Sequence, residues 1–205
     1  MNEKTVEFLF DFASPTTYLA YTQLPAIASQ AGAKIVYRPI LLGGVFKGSN
    51  NSSPAFIPAK AKWMFQDLEL WAKRYDVAFA HNPNFPINTL TLMRAAAGIQ
   101  LQLPDLFDAY LATVFKAMWI DRANMGDPAV VAQVLAPLFP DPDRFVALVS
   151  DPEVKNALMA NTEAAVARGV FGAPSFFVGD RLYFGQDRLD FVRCLLYTSP
   201  SPRDS

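Results

Sequence analysis

The chain has 205 residues, 52% hydrophobic and 18% charged, so a substantial core can form and global disorder is excluded. Its 18 basic and 19 acidic side chains leave a formal net charge of -1, and no Lys/Arg cluster marks a nucleic-acid or anionic-membrane partner. One cysteine, Cys194, excludes an internal disulfide or a Cys-x-x-Cys redox pair, and one histidine, His81, excludes a multi-histidine metal site. The opening apolar run is interrupted by Asp11 and is too short for a signal peptide, and no stretch reaches the length of a membrane span. The expectation is a cytoplasmic protein, either one large domain or a small domain carrying an insertion.

In chain order, TVEFLFDF is apolar and β-prone, and KIVYRPIL (34–41) is a second such run. Between them Pro15 opens a helix that ends at Gly32, so strand, helix and strand form a parallel βαβ unit. The middle is helical throughout. AKAKWMFQDLELWAKRY puts Met64, Leu68, Trp71, Ala72 and Tyr75 on one face, and NTLTLMRAAAG starts at a cap, Asn88, and stops at Gly98. PDLFDAYLATVFKAMW follows, and three Asp-Pro pairs (Asp127-Pro128, Asp141-Pro142, Asp151-Pro152) each read as a cap followed by a first-turn proline. Near the end, PSFFV and RLYFG flank Gly179-Asp180 as a hairpin, and QDRLDFVRCLL is a last helix with Asp187 placed to cap it. The tail CLLYTSPSPRDS has no core-forming pattern, and residues 196–205 read as a non-native end.

Ligand sites on such sheets lie where strands feed helices, and both Ser14 and Asp187 occupy turns of that kind. The first turn, DFASPTTYLA, is where thioredoxin-like proteins place Cys-x-x-Cys; here the four positions are Ser14, Pro15, Thr16 and Thr17. Two readings of Ser14 stand side by side. It is an ordinary N-cap, or it is a hydroxyl donor to an anion held at the helix N-terminus. Asp187 has the same pair of readings, and Ala173-Pro174 reads as trans by default, since only about 5–6% of X-Pro bonds are cis.

Five motifs in order, DFASPTTYLA, PAKAKWM, NTLTLMRAA, GVFGAPSFFV and FGQDRLDFV, resemble the 2-hydroxychromene-2-carboxylate isomerases over roughly residues 5–193. That family is related to kappa-class glutathione transferases within the disulfide-oxidoreductase-like thioredoxin superfamily. The resemblance implies an α/β fold: a thioredoxin-like domain (1–42 and 160–195) with an inserted all-helical domain (43–159). It implies glutathione as cofactor, a small aromatic substrate and a homodimer. The implied reaction is cis–trans isomerisation of 2-hydroxychromene-2-carboxylate to trans-o-hydroxybenzylidenepyruvate in the breakdown of naphthalene-type aromatics. Two alternatives stay open: a kappa-like transferase that consumes glutathione, and a redox-inactive binding protein.

Carried onto this chain, the resemblance makes Ser14 the catalytic residue. Ala173, before a cis Pro174, is implied to pair with the cysteinyl backbone of glutathione. Gln186 and Asp187 are implied to take its γ-glutamyl end, Lys60 its glycyl carboxylate, and Asn51 to approach the thiol, with Asn50 one residue away from the same placement. His81 receives no role, because the family histidine aligns with Asn84. Trp63 is expected to pack near the cleft, and Trp71 and Trp119 in the helix–helix core.

Overall fold

A computed structural model describes residues 4–198. β1 (Thr5–Phe10) and β2 (Lys34–Pro39) run parallel in full register, from Thr5 opposite Lys34 to Phe10 opposite Pro39, and α1 (Pro15–Gln30) makes the crossover. Gly32, at φ +61°, follows the end of that helix, as the sequence predicts. α2 (Leu42–Ser49), α3 (Pro58–Tyr75), α4 (Leu90–Gln102), α5 (Phe107–Trp119), α6 (Pro128–Leu135), α7 (Pro142–Ser150) and α8 (Pro152–Ala167) come next. β3 (Ser175–Val178) and β4 (Arg181–Phe184) form the hairpin, and a 3-10 turn (Gln186–Arg188) leads into α9 (Leu189–Thr198). The sheet order is β2-β1-β3-β4, with β3 antiparallel to β1. This is a mixed-sheet, thioredoxin-like α/β fold. Among the described residues no helix is long and apolar enough to cross a membrane.

β1 is central and buried on both faces, which is why it reads as a near-continuous apolar run. Its alternate residues Val6, Phe8 and Phe10 enter the main core. There Phe8 stacks on Phe176 with ring centroids 5.4 Å apart, and Phe12 meets Phe115 edge-on at 4.8 Å. Leu9 points the other way, into a smaller cluster with Ile40, Val45, Ala165 and Phe177. Helices thus cover both faces, and the chain ends of β1 and β3 are left to shape a cleft.

All three Asp-Pro caps form: Asp127, Asp141 and Asp151 accept the amides of Ala129, Asp143 and Glu153 at 2.8, 3.0 and 2.8 Å. Asn88 accepts the Leu90 amide at 3.0 Å, but the N-cap of α4 is Thr89, one residue later than the sequence predicts. α4, however, does not stop at Gly98 but runs on to Gln102. A Cβ at Gly98 would lie 2.8 Å from Leu148 Cδ1 and 3.0 Å from Val154 Cγ2, so this glycine serves close packing of α4 on α7 and α8. α8 is continuous across residue 160, and α9 extends through Leu196, which is buried in the core. Residues 199–205 of the expected tail lie outside the described residues.

Candidate active site

The turn after β1 is tied down by Asp11. Its Oδ1 accepts the Ala13 amide at 2.9 Å and the Thr89 hydroxyl at 2.6 Å, and its Oδ2 accepts the Leu42 amide at 2.7 Å. One buried carboxylate therefore holds the Ser14 loop against the first residues of α2 and α4. Burial pushes this carboxyl above the ordinary value of 3.8, against the opposing pull of the three donors.

Ser14 is the N-cap of α1: its Oγ accepts the Thr17 amide at 3.2 Å, and Pro15 follows at the first helical position. The hydroxyl does more than cap. It donates to the Ala173 carbonyl at 2.9 Å and lies 2.8 Å from the Thr16 hydroxyl. The Ala173–Pro174 bond is cis, and so is Phe85–Pro86. Gly185, at φ +97°, donates its amide to the Pro174 carbonyl at 3.0 Å, and a Cβ there would collide with the Asp187 carboxylate. Asp187 does not cap α9; it sits inside the preceding 3-10 turn, its carboxylate 3.7 Å from the Arg188 guanidinium.

These segments enclose a cleft of about 550 Å³ that is lined by Ser14, Asn51, Ala173, Gln186 and Asp187 together. Asn50 takes the left-handed position that closes α2, while Asn51 reaches the cleft and donates to the Phe171 carbonyl at 2.9 Å. Gln186 is buried, and its carbonyl accepts the Tyr75 hydroxyl at 2.8 Å. Lys60 is exposed in the first turn of α3 and is not part of the lining. It shares a helical stripe with Met64 and Asp67, which do line the cleft. Pro174 is buried behind Ala173.

Asp67, Thr16 and Trp71 are lining residues the sequence analysis missed. Burial, and then the charge of Asp187, push the Asp67 carboxyl above 3.8, with the Trp71 indole opposing. The Asp187 charge thus reaches Asp67 across the cleft. The available signal was position: Asp67 lies four residues from Trp63 and seven from Lys60, on the α3 face that turns to the cleft. Trp71 is partly buried, packing against the core while also lining the cleft, and Trp119 is fully buried and donates to the Phe12 carbonyl at 3.0 Å. Trp63 lines the cleft as expected and is 64% exposed. His81 is exposed and packs edge-on against Phe65 with centroids 3.9 Å apart.

The profile of the DSBA-like thioredoxin domain matches residues 5–196. The chain belongs to that family. Within it, the chain is 31% identical over 195 residues to the 2-hydroxychromene-2-carboxylate isomerase of Sphingobium xenophagum, covering 94% of this chain and 98% of that one. It is also 31% identical over 206 residues to glutathione s-transferase kappa 2 of Caenorhabditis elegans, covering 93% and 91%. A solved 2-hydroxychromene-2-carboxylate isomerase superposes on it with a TM-score of 0.82 at 28% identity, covering 94% of each chain. The turn that begins α1 carries Ser14, Pro15, Thr16 and Thr17, and no sulfur.

Proposed function

We propose that this protein is a glutathione-dependent isomerase that converts 2-hydroxychromene-2-carboxylate to trans-o-hydroxybenzylidenepyruvate in aromatic catabolism, working as a homodimer. One observation carries the reading: a buried serine hydroxyl caps a 16-residue helix and lines the cleft, in the turn where thioredoxin-like proteins place Cys-x-x-Cys. The similarity to 2-hydroxychromene-2-carboxylate isomerases over nearly the whole chain supports it.

The residues present fit a tripeptide thiol. The cleft volume of about 550 Å³ falls within the range of small-molecule sites. Asp67, raised by burial and then by the Asp187 charge, is suited to share an ammonium group with Asp187, because a cation between them relieves the repulsion. Amides that start the turn at Gln186 have no intrahelical partner by position and suit the neighbouring carboxylate. Ala173, presented by the cis Pro174, offers backbone for the cysteinyl residue, and Asn51 a side-chain amide. Lys60 lies outside the lining, and it is the resemblance that assigns it the glycyl carboxylate.

Bound glutathione supplies a thiolate that adds to, and leaves, the β-carbon of an unsaturated ketone. Ser14 favours the ionised sulfur by donating a hydrogen bond, and the α1 N-terminus adds its dipole. Trp63, Met64 and Phe85 give the aromatic substrate an apolar wall. Holding two reactants side by side converts a bimolecular encounter into an intramolecular one, which can contribute several kcal/mol.

The test is to incubate the protein with glutathione and the chromene and to follow the spectrum together with free thiol. Isomer formation at constant thiol supports the reading. Equal identity to a kappa glutathione transferase favours a second reading, in which a stable conjugate forms and thiol falls stoichiometrically. Failure to bind glutathione at all would leave a redox-inactive binding protein.

A further inference from the structure

The Ser14 hydroxyl has one proton and two lone pairs, and three partners compete for them. The Thr17 amide can only donate, and it fills one lone pair at 3.2 Å. The Ala173 carbonyl can only accept, so at 2.9 Å it takes the Ser14 proton. The remaining contact, 2.8 Å to Thr16 Oγ1, is then one in which Thr16 donates. In this arrangement Ser14 is saturated. It has no proton to offer an anion in the cleft.

A second arrangement needs the two hydroxyls to turn and their oxygens to part slightly, since no proton then lies in the 2.8 Å contact. Thr16 Oγ1 also lies 3.4 Å from the Ala173 carbonyl. If Thr16 turns its proton to that carbonyl, the Ser14 proton is released and can point into the cleft. The 2.9 Å bond is stronger than the 3.4 Å one, so the first arrangement is the resting state. An arriving thiolate selects the second, because it rewards the freed proton.

We propose that Thr16 is the positioning residue for the Ser14 proton: it takes over the Ala173 carbonyl so that Ser14 can donate to a bound thiolate. This rests on the reading of the cleft as a thiol-binding site. No proton is transferred from Ser14; the thiol's proton leaves to water through the open cleft, and the serine O–H only turns. Without Thr16, turning Ser14 would orphan the Ala173 carbonyl, whose residue is 7% exposed, so the resting arrangement would persist. Burial of the serine itself, at 5% exposure, keeps water from substituting freely.

The experiment is a thiolate-absorbance titration of glutathione bound to wild type, Thr16→Val, Thr16→Ser, Ser14→Ala and the Ser14→Ala/Thr16→Val double variant. Thr16→Val should raise the bound-thiol pKa by about one unit with tripeptide affinity, measured by calorimetry, changed less than about threefold. Thr16→Ser should restore the wild-type value. In the double variant the Thr16 change should add nothing, since its effect runs through Ser14. An unchanged pKa in Thr16→Val, or shifts that add in the double variant, would overturn the proposal while leaving the site's reading intact. A Ser14→Ala protein with the wild-type bound-thiol pKa, or a wild type that binds no glutathione, would remove that reading and this proposal with it.

Discussion

Asp11 and Thr89, 78 residues apart, meet in a buried 2.6 Å hydrogen bond that fastens the Ser14 turn to the start of α4. Asp11 accepts two further amides, so its charge is well solvated by the protein, yet burial still holds its carboxyl above 3.8. A folded pKa above the unfolded one means that the folded state binds this proton more tightly. The group's contribution to stability is full below the unfolded value and is lost as pH rises through the folded value. Asp11→Asn removes this titration. The melting temperature of wild type relative to Asp11→Asn should therefore fall as pH climbs from about 4 toward neutrality. A difference that is flat or rises with pH would show that the three donors outweigh burial.

Asp187 and Asp67 share the cleft, and under the proposed function an ammonium bound between them would relieve the repulsion on Asp67. Asp187→Ala should weaken glutathione binding by about 1–3 kcal/mol, the scale of a lost charge-assisted contact. Because Asp67 is raised, wild-type affinity should grow as pH rises through its titration and Asp67→Asn should flatten that rise. Titration calorimetry giving equal affinity for wild type and Asp187→Ala would remove Asp187 from the site.

Ser14→Ala should act on thiol ionisation more than on tripeptide affinity. Free thiols of this kind ionise near pKa about 8.5, and a hydrogen bond to a charged group contributes roughly 1.5–3 kcal/mol, or about one to two pKa units. Turnover at neutral pH should fall about ten- to a hundred-fold, and the loss should shrink as pH rises and thiolate becomes abundant. Ser14 also caps α1, so a thermal melt should show a separate loss of about 1 kcal/mol. Activity lost equally at every pH would assign the whole effect to the cap.

Cys194 is exposed on α9, and it is the chain's only thiol. With no resolving partner, insulin reduction in the presence of this protein should proceed at the uncatalysed rate. Activity that survives Cys194→Ser would contradict the assignment of the Ser14 turn.

The amino-acid sequence by itself determined what a few neighbouring residues can decide. The three Asp-Pro caps, the βαβ unit around Pro15 and the Gly179-Asp180 hairpin are all encoded within a turn or an alternation, where side chain and backbone compete locally. The sulfur-free turn at Ser14 is legible in the same way, and with it the exclusion of dithiol chemistry. Gly98 was misread because a glycine after an apolar helix is locally indistinguishable from a stop, and only contact with Leu148 and Val154 explains it. Asp67 was passed over because a carboxylate beside an apolar stripe looks solvated until α3 is docked beside the turn that carries Asp187. Lys60 matches a family motif, yet the fold leaves it outside the cleft lining. Tertiary structure alone decided that the Ser14 proton meets a carbonyl 159 residues away, with Thr16 beside it. The physical reason is range: caps and periodicity act over about four residues, whereas hydrogen-bond partners across a cleft depend on how whole elements pack.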